Sequence, residues 1–327
     1  MVWRDSLGLV RQHPIVGVGP EMFATEFPAF QSVKLARAYP DFYHESPHNL
    51  CLDALISQGV PGLALLILVF VQSWIAAGRW VEYKQLGTAL LAALSASFVS
   101  QQFTAFIVPT AFVFHFAAGM LVAGAMPENT PVKPLNRRVG RFLQALAVPA
   151  GTLFLVLAVQ LVHVDFRWGL VRRALEANRI PEAMEEYRAV TTMVPPETGL
   201  DMWYSRELIT KTASSTETLK QLANRQALEA AERATTVTED RHNAYYNLAV
   251  LDGAQGDLPG AEQALHSSIA SAPRWFKPHW LLSEILNLTG NLNEAESEAQ
   301  LAVDLNGGKN PEVAETLEQI QAAIRRR

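Results

Sequence analysis

Residues 60–77 read VPGLALLILVFVQSWIAA. The run carries no charged side chain, and at about 1.5 Å per helical residue it reaches roughly 27 Å, close to a bilayer's hydrocarbon core. Three more apolar stretches follow, from Leu86 to about Gln101, from Thr110 to Met126 and from Leu143 to Val162. Any one of them could be the core helix of a soluble protein. Four in one chain, with almost no internal charge, make a membrane bundle the expected fold. Trp74 and Trp80 stand near the far end of the first stretch, where aromatic belts lie. Pro149 and Gly151 interrupt the fourth, and both are tolerated in membrane helices whose neighbours satisfy the backbone. The expected class is all-α, with about four transmembrane spans and a soluble solenoid of paired helices.

The connecting loops set a direction. Arg79 and Lys84 follow the first span, and Lys133, Arg137, Arg138 and Arg141 follow the third, whereas the loop after the second holds neither Lys nor Arg. Both basic loops fall on one side, which the positive-inside rule assigns to the cytoplasm. The expected domains are an outward-facing segment 1–58, three membrane helices in 59–126, a basic cytoplasmic linker 127–142, a fourth membrane helix 143–163 and an outward domain 164–327. Met1-Val-Trp-Arg-Asp has no charged region followed by an apolar core, so insertion is expected to be driven by internal spans.

Charge separates the two halves. Residues 164–327 hold 17 Lys and Arg against 24 Asp and Glu, a net of −7, while residues 1–163 hold 10 against 8, a net of +2. The acidic half argues against a nucleic-acid partner, which needs a basic face. The single cysteine, Cys51, excludes an intrachain disulfide framework and a cysteine-based metal site.

The acidic half repeats itself. Leu248, Gly256, Leu258 and Ala261 recur 34 positions later as Leu282, Gly290, Leu292 and Ala295. An earlier copy runs through Leu170, Asn178, Ala183, Tyr187 and Pro195, and Ala227, Ala230 and Ala234 suit the second helix of a less regular unit. Small residues let paired helices approach, Gly256 and Gly290 close the turns, and Pro195 and Pro273 stop one unit before the next. The pattern resembles the tetratricopeptide repeat. Such units stack because each has an apolar face that it cannot bury alone. The resemblance implies a protein partner on the concave face, and the alternative is an array that only stacks on its own chain.

The segment before the first span carries the chemistry. It holds HPIVGVGPEMF at 13–23 and HNLCLDALISQGVPG at 48–62. His48 and Asn49, nine residues, then Gly59 and Gly62 leading into a span, together with Pro14, Gly17 and Gly19 upstream, resemble the O-antigen ligase family over residues 1–125. That resemblance implies a bacterial inner-membrane glycosyltransferase working at the outer face. It would move glycan from a polyprenyl diphosphate lipid to a hydroxyl of a glycan, lipid or protein acceptor. No metal or cofactor is implied, because the diphosphate is already a good leaving group. His48 occupies the family's position for a base, a role that suits a neutral imidazole. Arg4, Arg11 and Arg37, with Lys34, are the candidates for holding a diphosphate. Asn49, Gly59, Gly62, Gly17 and Gly19 are the motif and turn residues. The family also places an arginine just before the tryptophan that matches Trp3, a position preceding Met1. The chain is therefore expected to be the C-terminal portion of such an enzyme, truncated at its N-terminus and of uncertain activity alone.

Other polar residues draw blander expectations. His44 and Glu45 read as solvated loop positions, and His13 reads as structural. His115, Gln101 and Gln102 read as hydrogen-bonding groups between membrane helices. The rival to a transferase is a non-catalytic, membrane-anchored repeat scaffold.

Overall fold

The computed structural model describes residues 1–80, 84–105, 107–126 and 137–326. Among them every regular element is helical and no strand occurs. The chain divides into two compact units, Met1–Thr130 with Asp257–Arg327, and Pro131–Gly256.

The first unit begins outside the long helices, with α1 (Val2–Gln12), α2 (Phe23–Glu26), a 3-10 turn (Phe27–Phe30) and α3 (Val33–Ala38). Leu9, Phe23, Phe27, Leu35 and Ile56 form a small core under them. Then come α4 (Leu50–Ala77), α5 (Lys84–Ser100) and α6 (Val108–Gly124), packed around Leu94, Phe114, Ala117, Ala118 and Leu121.

Among the described residues two helices are long and apolar enough to cross a bilayer, α4 and the stretch Arg138–Glu176. Two of the four expected spans are thus found at full length among the described residues. Helices α5 and α6 have 17 residues each, at the short end of the roughly 17–25 that a spanning helix takes. Helix α5 stops at Ser100, where the Gln101 carbonyl instead accepts the Leu50 N–H at the head of α4. The basic linker lies outside the described residues from 127 to 136.

Trp74 is 54% exposed, as a belt residue should be. Trp80 is not. It is buried, its Nε1–H donates to the Leu121 carbonyl at 2.9 Å, and its ring fills the space over Gly87 and Gly124. A Cβ at Gly124 would come within 2.0 Å of that ring, so the tryptophan locks α5 and α6 together.

The unit is completed by α12 (Leu258–Ser271), α13 (Phe276–Thr289), α14 (Leu292–Asn306) and α15 (Pro311–Arg326), each packed on the next. Pro273 follows the end of α12, as expected of a unit boundary.

The second unit holds α7 (Arg137–Glu176), α8 (Ile180–Thr191), α9 (Thr198–Thr212), α10 (Glu217–Thr235) and α11 (Arg241–Gln255). The fourth apolar stretch and the start of the acidic half share α7, one helix of 40 residues. Its apolar part is bare, with Phe154 at 73% and Val162 at 71% exposure. Its last turns are buried through Trp168, Val171, Ala174 and Leu175 against α8. Gly256 and Gly290 both end their helices at φ +85°, and Asn178 takes φ +56° after α7, the left-handed turn that glycine and asparagine best allow. Ala227, Ala230 and Ala234 are fully buried along α10.

A polar network is buried in this unit. Tyr187 stacks flat on Tyr204 at 3.7 Å and donates its hydroxyl to Asp201, which also accepts from Arg233. Nearby, burial pushes His242 down to about 4 and the carboxyl of Asp240, 3.6 Å away, up to about 6. The two linkages oppose one another. A histidine with a depressed folded pKa contributes stability above pH 6.5 that is lost as pH falls through 4. A carboxyl with a raised one contributes stability below pH 3.8 that is lost as pH rises through 6. The net contribution of this pair to stability should therefore vary little between pH 4 and 6.5. In Asp240→Asn it should instead rise by about 3 kcal/mol across that window, from the histidine alone. Thermal melts at stepped pH check the slope, and a ring titration by NMR checks the value for His242.

Candidate functional site

The site is built around a break in α4. Asn49 caps the helix, its side-chain oxygen accepting the Leu52 N–H at 2.9 Å. The cap is anchored to the end of α5, where Asn49 Nδ2 donates to the Gln102 carbonyl at 3.4 Å. Ten residues after the cap the helix breaks at Gly59, which takes φ +70° and ψ −167°. Pro61 accounts for the break, because its ring has no N–H and presses on the carbonyl four residues earlier.

The upstream turn repairs what the break leaves open. The N–H groups of Val18 and Gly19 donate to the carbonyls of Ile56 and Ser57 at 2.8 and 3.0 Å. In return the Val60 N–H donates to the Pro14 carbonyl at 2.9 Å. The backbones touch so closely that side chains cannot intervene. A Cβ at Gly17 would lie 2.4 Å from the Ser57 carbonyl carbon, and one at Gly59 would lie 2.2 Å from the Ile15 oxygen. The two glycine motifs are halves of one joint.

His48 sits just before the cap, in the left-handed conformation at φ +50°. The Trp3 indole N–H holds the neighbouring Pro47 carbonyl at 2.7 Å. The imidazole is exposed, with Nδ1 3.4 Å from the Ser46 hydroxyl oxygen.

A cleft of about 640 Å³ runs from this loop along α4. Glu21, Glu45, His48 and Asp53 give it a polar end. Leu65, Leu66 and Val69 of α4, with Val108 of α6, give it an apolar end. Asn49, Gly62 and His115 also line it, and His115 Nδ1 lies 2.7 Å from the Ala111 carbonyl of its own helix. Gln102 likewise bonds back within its own turn, to Phe98. Among the described residues lining the cleft there is no Lys or Arg.

The basic candidates lie elsewhere. Arg4 forks onto Asp5 at 2.8–2.9 Å, and Asp5 also accepts from the Ser32 N–H and hydroxyl. Burial alone would raise the Asp5 carboxyl, but the Ser32 hydrogen bonds and Arg4 outweigh it and hold the pKa below its usual range. The Arg37 guanidinium donates to both the backbone carbonyl and the side-chain carboxylate of Asp304. Arg11 and Lys34 are exposed on α1 and α3. His44 is not a solvated loop residue. It packs between Phe27 and Phe42, at 5.5 and 5.0 Å, and burial pushes its pKa down. Glu45 is exposed at the cleft, and His13 is exposed with its carbonyl accepting the Gly17 N–H.

Residues 1–67 match the family model described as O-antigen ligase. The ligase-matched segment covers 67 of the 327 residues and includes the Gly17–Gly19 turn, His48, Asn49 and the break in α4. Comparison with curated proteins finds no match. Together with the bare apolar helices, the ligase match supports a membrane glycosyltransferase or ligase type of function at the family level.

Asp53 and Ser57 were not singled out from the sequence, although both line the cleft. The signal was present. Asn49, Asp53 and Ser57 are spaced four apart and so share one helical face.

Proposed function

We propose that the chain carries the C-terminal part of an O-antigen ligase-type glycosyltransferase, joined to outward-facing tetratricopeptide-like repeats. The observation that supports it best is the cleft's change of character along α4. An isoprenoid tail would lie along Leu65, Leu66, Val69 and Val108 while the glycan reached the polar end. His48 would take the proton of the acceptor hydroxyl as the sugar–diphosphate bond breaks and the new glycosidic bond forms. The diphosphate would need cations at the same end. Arg4 and Arg37 are each held by a carboxylate, so a diphosphate would compete with Asp5 and Asp304, and Arg11 is the exposed alternative.

Ion pairs support this topology. Asp41 and Arg37, before the first span, pair with Lys277 and Asp304, after the last. On this reading both stretches lie on one side, and the chain between them crosses an even number of times. Four spans with a periplasmic repeat domain satisfy this, as do two.

The second reading, a repeat scaffold without catalysis, draws on the absence of Lys and Arg among the described lining residues. One experiment separates them. The complete gene, expressed in a bacterial strain lacking its own ligase, should restore surface glycan. Ala54→Trp, which fills the middle of the cleft, should remove it while the protein stays in the membrane. Restoration by Ala54→Trp, or none by the parent, would favour the scaffold.

A further inference from the structure

Helix α3 is buried on two sides. Leu35, 1% exposed, faces the small core formed by Leu9, Phe23, Phe27 and Ile56. Ala36, also 1% exposed, faces Phe276, Ala302, Leu305 and Val313 of the last hairpins. A six-residue helix has little stability alone, so its position is set by what it packs on.

Polar contacts extend the grip past the end of α3. Arg37 bonds to Asp304, and Lys309 reaches the Ala38 carbonyl and lies 5.7 Å over the Tyr39 ring. Lys277 pairs with Asp41 at 2.8 Å. Gly307 turns at φ +61°, and a Cβ there would come within 2.8 Å of the Arg37 carbonyl oxygen. The next residues lead to the cleft. Phe42 packs on His44, His44 packs on Phe27, and Pro47 is held by Trp3. Residues 39–48 are thus tied at one end to the hairpins and at the other to the cap of α4.

We propose that α3 and the turn after it are the docking surface for the chain's own last hairpins, α13 to α15, which brace the His48 loop. The partner is intramolecular, and the match of charge is reciprocal: a cation of the segment meets an anion of the hairpins at Arg37–Asp304, and the reverse holds at Asp41–Lys277. Residues 274–313 are on this view a working part of the site, with their α3-facing side unavailable to other proteins. The catalytic consequence rests on the transferase reading, and the brace itself does not.

The test uses the full chain in membranes. Lys277→Glu combined with Asp304→Arg reverses both ion pairs at half-exposed positions without touching the ligase-matched segment. Amide hydrogen exchange over residues 33–48 should speed up at least tenfold, with α4 to α6 unchanged. Adding Asp41→Lys restores one pair and should bring exchange most of the way back. Surface glycan in the ligase-deficient strain should fall at least threefold in the reversed variant and recover in the rescued one. Unchanged exchange overturns the brace. Faster exchange with undiminished glycan overturns its role in positioning His48. If the parent transfers nothing while exchange responds as expected, the brace stands and the transferase reading fails.

Discussion

Replacing His48 with asparagine is expected to cut glycan transfer by about 10²- to 10⁴-fold, the range for losing a positioned general base. Asparagine is the replacement of choice because the residue sits at φ +50°. It is the residue other than glycine that best tolerates the left-handed region, whereas alanine would add backbone strain to the loss of the imidazole. The cap by Asn49 and the contact of Trp3 with Pro47 involve neighbours and should survive. The measurement is surface glycan in the ligase-deficient strain, alongside membrane abundance and amide exchange at the head of α4. Transfer within threefold of the parent, at equal abundance, would remove His48 from the mechanism.

Gly59→Ala should be the most damaging single-methyl change in the ligase-matched segment. The backbone there lies in a region reached essentially by glycine alone, costing on the order of 1–3 kcal/mol for any other residue. The new methyl would also sit 2.2 Å from the Ile15 oxygen and 2.4 Å from its carbonyl carbon. Relief requires the turn to move off α4, which breaks the bonds of Val18, Gly19 and Val60. A total loss of at least about 3 kcal/mol follows. Gly62→Ala offers the contrast. Its methyl would also meet a close atom, Gln58 Cβ at 2.2 Å, but Gly62 has no left-handed backbone and no turn docked on it, so only the clash remains and the loss should be smaller. Thermal melts of both variants in detergent decide this. Equal losses would mean that the joint between the turn and α4 does not carry the strain.

Much of this was legible along the chain. The run from Val60 to Ala77 does lie in a long apolar helix, and Gly256 and Gly290 do end helices in matching left-handed turns. Helix ends, caps and glycine turns depend on residues a few positions apart, so local sequence specifies them. The two shorter apolar stretches lie in helices of 17 residues, a length that composition alone does not give. Just past the end of α5 the Gln101 carbonyl accepts the Leu50 N–H, a contact that no local pattern shows.

The site followed the same division. The chain alone determined that His48 and Asn49 stand before Gly59 with nine residues between, and that Gly59 and Gly62 lead into an apolar run. Only tertiary structure decided that Gly17 and Gly19 close over the break in α4, that Trp80 turns inward, and that Arg4 and Arg37 are held by Asp5 and Asp304. The Arg37 partner lies 267 residues away. The physical reason is the range of each force. Backbone geometry and helix caps act between near neighbours, while a charged or aromatic side chain takes whichever partner the packing of distant segments brings within a few ångströms.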